Sequence, residues 1–399
     1  MKRFTSLLLT LLMVCTLMVS PVLAVPQQTQ VLLDGGHVDT EGLAVVKNGR
    51  TMIPIRCLAE LLGADVSYDQ TLKAARIVRA GTEIIMPIGS TTATVNGAPF
   101  QMDVAPYIEN GRTMIPARYV SEWFGQKIEW VAEKNAASVE ENKSLAGATN
   151  LEAWALPMGA VQNYIRAGTP MNFGGRKRYA KVQAPGTAVS KNEDLQKRGV
   201  VFAYEEARYL LSDSWGINSR DDLIITVYSM TYHGHNEAFL SDVAAINSLS
   251  ASEYQALLKN AAGMDSYMFP YTKQLGEKWG DRGILCWDLF RMSNLVQWGY
   301  ESGYITYSEA LALLKPAAEL LQKNFKNWDE AYGNYLDGYY WWAREDMLDK
   351  DPWSDGRRGI VTNMMLRAYR EKLLDDKLFE VPIEDVSGVT AQQLFASVQ

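Results

Sequence analysis

Up to about residue 140 the apolar positions fall in short runs punctuated by glycine, and beyond about residue 150 they recur at helical spacing. The first pattern occurs twice. Asn48-Gly49-Arg50-Thr51-Met52-Ile53-Pro54-Ile55-Arg56 returns as Asn110-Gly111-Arg112-Thr113-Met114-Ile115-Pro116-Ala117-Arg118, and the same offset carries Glu60 onto Glu122, Gly63 onto Gly125 and Tyr68 onto Trp130. Leu33-Asp34-Gly35 aligns upstream with Val95-Asn96-Gly97, and Ala74-Ala75 aligns downstream with Ala136-Ala137. Each copy predicts one order of elements. An apolar strand (Leu43 to Val46, or Tyr107-Ile108) enters Asn-Gly, the dipeptide that most readily takes positive φ in a tight hairpin turn. Thr-Met-Ile resumes the strand, and Pro54 or Pro116 suits the first position of a helix, where its missing N–H costs nothing. That helix turns Ile55, Leu58, Leu61 and Leu62 to one side in the first copy, and Tyr119, Val120, Trp123 and Phe124 in the second. Gly63 or Gly125 closes it, and an alternating strand follows. One unit is too small to bury both a sheet face and a helix, so the two copies pack into one α+β domain over residues 25–145, with Ile84 to Ile88 as a further strand.

The segment 146–199 reads as a linker and lead-in, and residues 200–399 as a mainly α-helical domain, which makes the chain multidomain. Ser219 with Asp222, Ser250 with Glu253 and Thr306 with Glu309 have capping-box spacing, so helices begin just after each; Asn327 with Glu330 opens another, and Pro316 kinks the helix it lies in. The helix from Ile284 to Gly299 is apolar almost all round, which marks it as central and buried.

Composition changes the picture at the chain's start. Lys2-Arg3, the apolar run Leu8 to Val19 and the small-residue end Val22-Leu23-Ala24 have the order of a secretory signal peptide, with cleavage expected after Ala24. An uncleaved anchor is the alternative; Cys15, preceded by Val14, is a poor lipid-attachment site. The expected location is therefore secreted or at the cell envelope. Without the leader the formal charge moves from −7 to 37 − 46 = −9, which disfavours nucleic acid as a partner. Arg176-Lys177-Arg178 reads as a solvated loop, with contact to an anionic polymer as the alternative. The mature chain keeps Cys57 and Cys286, too few for a disulfide framework, and both are expected as buried thiols.

The duplicated motif resembles the copper amine oxidase-like N-terminal domain, also called the stalk domain, which recurs in exported proteins of Gram-positive bacteria. The resemblance covers about residues 31–140 and implies a non-catalytic spacer or envelope-associated module. Arg50 and Arg112 are expected to pair with Glu60 and Glu122 or with a turn carbonyl, carboxylate or polymer binding being the alternative. The family name does not bring the oxidase with it: His233-Gly234-His235 has the form of a copper pair, but Asn163-Tyr164 and Asn334-Tyr335 are followed by Ile165 and Leu336 rather than by an acid. No cofactor is expected.

The helical region resembles an uncharacterised bacterial family, domain of unknown function twelve sixty-six. The resemblance is carried by Trp215-Gly216-Ile217, Gly234-His235 with Phe239, Trp287-Asp288 with Arg291, Gly303-Tyr304-Ile305, Glu309-Ala310, and Trp328 leading to Gly338 and Trp341, over about residues 200–345. It implies no activity. Asp288 and Arg291 stand three apart on the buried helix, so they compensate each other or serve a ligand, and Trp287 is placed for a cation–π contact with Arg291. One reading is an internal ion pair with His235 as a neighbour. The other is a cleft of His235, Asp288 and Arg291 with the candidate binding residues Trp215, Trp287 and Trp328, where His235 moves a proton. A metal at His233 and His235 lacks further ligands, and the aromatic run Trp328 to Trp353 reads as core, sugar stacking being the alternative. Asp349, Asp351, Asp355 and Gly356 do not complete a calcium loop. The sequence thus favours a non-catalytic envelope protein whose partner is a cell-wall polymer or another envelope protein; the alternative is an extracytoplasmic hydrolase using His235, Asp288 and Arg291.

Overall fold

The computed structural model describes residues 28–147, 150–166, 168–183, 193–348 and 356–398. The expected leader, Cys15 and the acidic positions Asp349, Asp351 and Asp355 lie outside these. The duplication is structural as well as sequential. β1 (Gln30–Leu33) turns into β2 (Gly36–His37), β3 (Val45–Lys47) into β4 (Arg50–Pro54), and after α1 (Ile55–Ala59) β5 (Asp65–Asp69) pairs with β6 (Ala74–Arg79). β7 (Thr82–Pro87) follows. The set then recurs as β8 (Thr92–Val95) with β9 (Ala98–Gln101), β10 (Tyr107–Glu109) with β11 (Arg112–Pro116), α2 (Ala117–Trp123), and β12 (Gln126–Val131) with β13 (Ala136–Glu141). Registers match across the copies: Leu33 faces Gly36 as Val95 faces Ala98, and Tyr68 faces Ala75 as Trp130 faces Ala137. Asn48 and Gly49 have φ of 50° and 70°, and Asn110 and Gly111 have 51° and 73°, so each Asn-Gly loop twists with its strands.

β4 and β11 join the two copies. They run antiparallel with Ile53 opposite Ile115, Met52 opposite Pro116 and Pro54 opposite Met114. Equivalent residues exchange places about the central pair, which is a local two-fold axis. The flanking sheets are the meander β5-β6-β7-β8-β9 and the sheet β12-β13-β1-β2, in which β1 runs parallel to β13. Leu33, Ile53, Leu58, Ile77, Ile115 and Val120 are buried in the shared core. This pairing holds Pro54 and Pro116 extended, with ψ of 128° and 119°, so they precede their helices instead of starting them.

Three local expectations are corrected. Glu60 and Glu122 pair with Arg56 and Arg118, one helical turn away, and not with Arg50 and Arg112; Arg50 donates to the Gly49 turn carbonyl at 3.1 Å, the expected alternative, and meets Asp103 at 2.5 Å, while Arg112 meets Glu41 at 2.9 Å. Cys57 is half-buried, not buried; desolvation, then Glu41, push its thiol up to about 11. Cys286 is buried and both thiols are free. The third correction concerns Arg176 and Arg178, described below with the domain contact.

The helical body comprises α3 (Leu151–Ile165), α4 (Glu193–Arg198), α5 (Ala203–Trp215), α6 (Arg220–Tyr232), α7 (His235–Asn247), α8 (Ala251–Asn260), α9 (Asp265–Trp279), α10 (Leu285–Glu301), α11 (Tyr307–Asn324), α12 (Trp328–Ala343), α13 (Gly356–Arg370) and α14 (Ala391–Ala396). A short antiparallel pair, β14 (Lys181–Gln183) and β15 (Val200–Phe202), sits beside it. Ser219, Ser250, Thr306 and Asn327 each accept from the N–H three residues on, so the helices start where the sequence places their caps. α11 continues through Pro316 to Asn324, packed on α3, α6, α10 and α14. α10 is buried from Cys286 to Glu301 because α3, α5, α6, α7, α11 and α12 surround it. α3, in the segment read as linker and lead-in, is part of this body: Leu151, Trp154, Ala155, Met158 and Val161 enter its core. Pro157 within that helix masks its apolar stripe in the sequence.

The two domains are docked. A Cβ on Gly303 would lie 2.4 Å from the Gly63 carbonyl oxygen, and one on Gly63 would lie 2.6 Å from that of Ser302, so two glycines at positive φ let the backbones touch. Arg208 bridges the same contact, donating to the carbonyls of Gly63 and Ser302 and pairing with Asp65. Beside it Arg178 is buried, bonded to Asp34 (3.2 Å), Glu141 (3.2 Å) and Gln126 (2.6 Å), while the Tyr300 hydroxyl donates to Glu141 at 2.6 Å. Burial opposes its charge, but Tyr300, Asp34 and Glu141 together hold Arg178 above its ordinary pKa. Arg176 likewise reaches Glu206 at 2.6 Å. Arg176 and Arg178 are thus internal and not part of a solvated loop, because carboxylates distant in sequence converge on them, while Lys177 between them stays exposed.

Candidate functional site

The Asp288–Arg291 pair lies on α10 where the N-terminus of α7 meets it. Arg291 Nη2 donates to Asp288 Oδ1 at 2.6 Å and to His235 Nδ1 at 2.9 Å, and Arg291 Nε donates to the Trp287 carbonyl at 3.0 Å. Asp288 Oδ2 accepts the Asn236 N–H at 2.7 Å, so this carboxylate also serves an otherwise open N–H of α7. Gly234 permits the approach: a Cβ there would lie 2.3 Å from Asp288 Oδ2. Asp288 is 1% exposed and Arg291 9%, whereas the His235 side chain is 44% exposed. Burial lowers the Arg291 pKa and Asp288 opposes that shift. The guanidinium carbon stands 4.2 Å from the Trp287 ring centroid and 5.7 Å from that of Trp215, within cation–π reach of both.

This arrangement limits what His235 can do. With Arg291 donating to Nδ1, the neutral ring carries its proton on Nε2 and presents a donor outward. A general base in a catalytic triad needs the reverse, with Nδ1–H donating to the carboxylate and Nε2 free. Both Asp288 oxygens are already engaged.

Of the candidate binding residues, Trp215 and Trp287 flank Arg291, but Trp328 does not join them. It is fully buried against Trp154, Phe290, Tyr332 and Phe379, and its indole N–H donates to the Asp375 carbonyl. Most of the aromatic run on α12 is core for the same reason, Trp342 being an exposed exception.

A cavity of about 410 Å³ opens on the other side of Arg291. Its wall includes Gln162, Ile165 and Arg166 from the end of α3, Leu210, Ser214 and Trp215 from α5, and Arg291, Asn294 and Trp298 from α10. Sequence reading missed Arg166, Asn294 and Trp298. The last two were within reach, since they lie three and seven residues after Arg291 and share its helix face. Arg166 was not, because its partners are distant in sequence: Glu301 at 3.3 Å and Glu206 at 3.5 Å, with Arg176 on the far side of Glu206. Burial pushes Glu301 up to about 7, and Arg166 opposes it.

The comparisons with known proteins agree with this division. Residues 32–139 match the copper amine oxidase N-terminal domain, and residues 210–376 match the family described as protein of unknown function (DUF1266). The two matches follow one another along the chain without overlap. It is similar to the uncharacterized protein YbeU of Escherichia coli (strain K12), 30% identical over 139 residues, which is 35% of this chain and 59% of that protein. The uncharacterized protein YbeR of the same organism is 27% identical over 137 residues, 34% of this chain and 58% of that protein. The chain thus spans less than two thirds of either relative. No solved structure matches.

Copper, which the first family's name suggests, finds no fitting donor set. His37 is exposed on β2, His233 lies 3.3 Å from Glu237, and His235 is engaged by Arg291. Among the described residues no three His, Cys, Asp or Glu side chains converge to hold a metal, and no helix is long and apolar enough to cross a membrane.

Proposed function

We propose that this is an exported cell-envelope or extracellular protein of the binding class, in which the duplicated α+β domain presents the helical domain to a wall polymer or another envelope protein. The export half of this reading rests on the leader-like first 24 residues. The non-catalytic half rests on one observation: Asp288 gives its two oxygens to Arg291 and to the start of α7, and Nδ1 of His235 accepts from Arg291. A site so arranged holds its place in the fold and has no base aimed outward. The hydrolase reading keeps one point in its favour, the half-exposed His235 ring.

Incubation of the purified chain with isolated cell wall separates the two. The expected result is co-sedimentation with the wall and no clearing of its turbidity. Clearing that is lost in His235→Ala, with the variant still folded, would establish the hydrolase instead.

A further inference from the structure

The cavity beside Arg291 has a lining of one charge sign. Arg166 and Arg291 are its charged residues, Gln162, Ser214 and Asn294 its other polar ones, and no Asp or Glu is among them. Arg166 is committed to Glu301, Glu206 and the Gly174 carbonyl. Arg291 is committed only in part: its Nε and Nη2 are bonded, and Nη1 has no hydrogen-bond partner among the described residues.

Buried polar atoms behind the same wall also lack partners. Asn294 Oδ1 and Trp298 Nε1 have no hydrogen-bond partner although their residues are only 3% and 6% exposed. The orientation of Asn294 is fixed, since its Nδ2 donates to the Phe290 carbonyl at 3.0 Å. Both atoms are closed off from water in this geometry, so they lie behind the cavity surface and a bound molecule does not reach them. Ile165, Leu210 and Trp215 give the wall its apolar part, while Trp298 carries the Arg166 guanidinium 5.0 Å from its ring centroid. The volume, about 410 Å³, is that of a small-ligand site.

We infer that this cavity binds a small organic anion, a carboxylate carried on a flat apolar body. The carboxylate pairs with the open face of Arg291, and the body lies against the apolar side chains of the wall. No bond is made or broken. This rests on the helical domain being a binding module and adds the chemistry of what it takes.

The test is calorimetric titration of the full chain with indole-3-acetate, which has the carboxylate and the flat body, against the neutral indole-3-acetamide. Saturable binding of the acid, at least ten-fold tighter than the amide, is expected. Arg291→Gln disturbs the Asp288 pair and so confounds folding with binding. Leu210→Trp fills the cavity without touching either ion pair and is expected to weaken binding at least ten-fold with an unchanged circular dichroism spectrum. No saturable heat with the acid, equal binding of acid and amide, or full binding by a folded Leu210→Trp overturns the inference. Wall co-sedimentation without indole-3-acetate binding would remove this site and leave the wider binding role standing; indole-3-acetate binding without wall retention would do the opposite.

Discussion

Asp288→Ala is expected to destabilise the protein by about 3–5 kcal/mol, the cost typical of breaking a buried ion pair from one side. The substitution strands the Arg291 guanidinium beside Trp287 and Trp215 and removes the acceptor of the Asn236 N–H at the start of α7. Both losses fall on α10, which six other helices contact, so the effect spreads through the helical core. Urea unfolding followed by circular dichroism reads it as a lower midpoint. Asp288→Leu combined with Arg291→Met is expected to recover most of the loss, because an apolar pair needs no mutual neutralisation. A loss below about 1 kcal/mol in Asp288→Ala would show that the pair does not hold the core as described.

Arg178→Met carries the second large effect, about 3 kcal/mol, and acts between the domains. Without the guanidinium, Asp34 and Glu141, which lie side by side on the α+β domain, lose their shared cation, and Tyr300 is left as the donor to Glu141 from the helical side. The backbone contact of Gly63 with Gly303 then has Arg208 as its main polar tie. Faster amide exchange in residues 34–36, 124–127 and 300–304 is expected, with a larger radius of gyration by small-angle scattering. Unchanged exchange there would mean that apolar packing alone docks the domains.

The parts of this fold that were legible in the sequence are those set by local chemistry. Asn48-Gly49 and Asn110-Gly111 announce their turns because few other dipeptides take two positive φ angles, and Ser250, Thr306 and Asn327 announce helices because each cap bond spans three residues. The Asp288–Arg291 pair and its contact with Trp287 were readable for the same reason, being one helical turn apart. What was not legible depends on partners far along the chain. Arg178 looks like any loop arginine until Asp34 and Glu141 arrive from the other domain. Trp328, two positions after the exposed Lys326, is sealed by Trp154 and Phe379, which nothing local foretells. The same holds for the cavity, whose walls come from three helices.

The claim that the charged trio is a structural and binding element, not a catalytic one, turns on a single proton. Long-range ¹H–¹⁵N correlation of the imidazole of His235, at a pH where the ring is neutral, locates it. The arrangement with Arg291 donating to Nδ1 predicts the Nε2–H tautomer. A proton on Nδ1, donated across the 3.4 Å to Asp288 Oδ1 with Nε2 bare toward solvent, would be the geometry of a general base and would contradict the account.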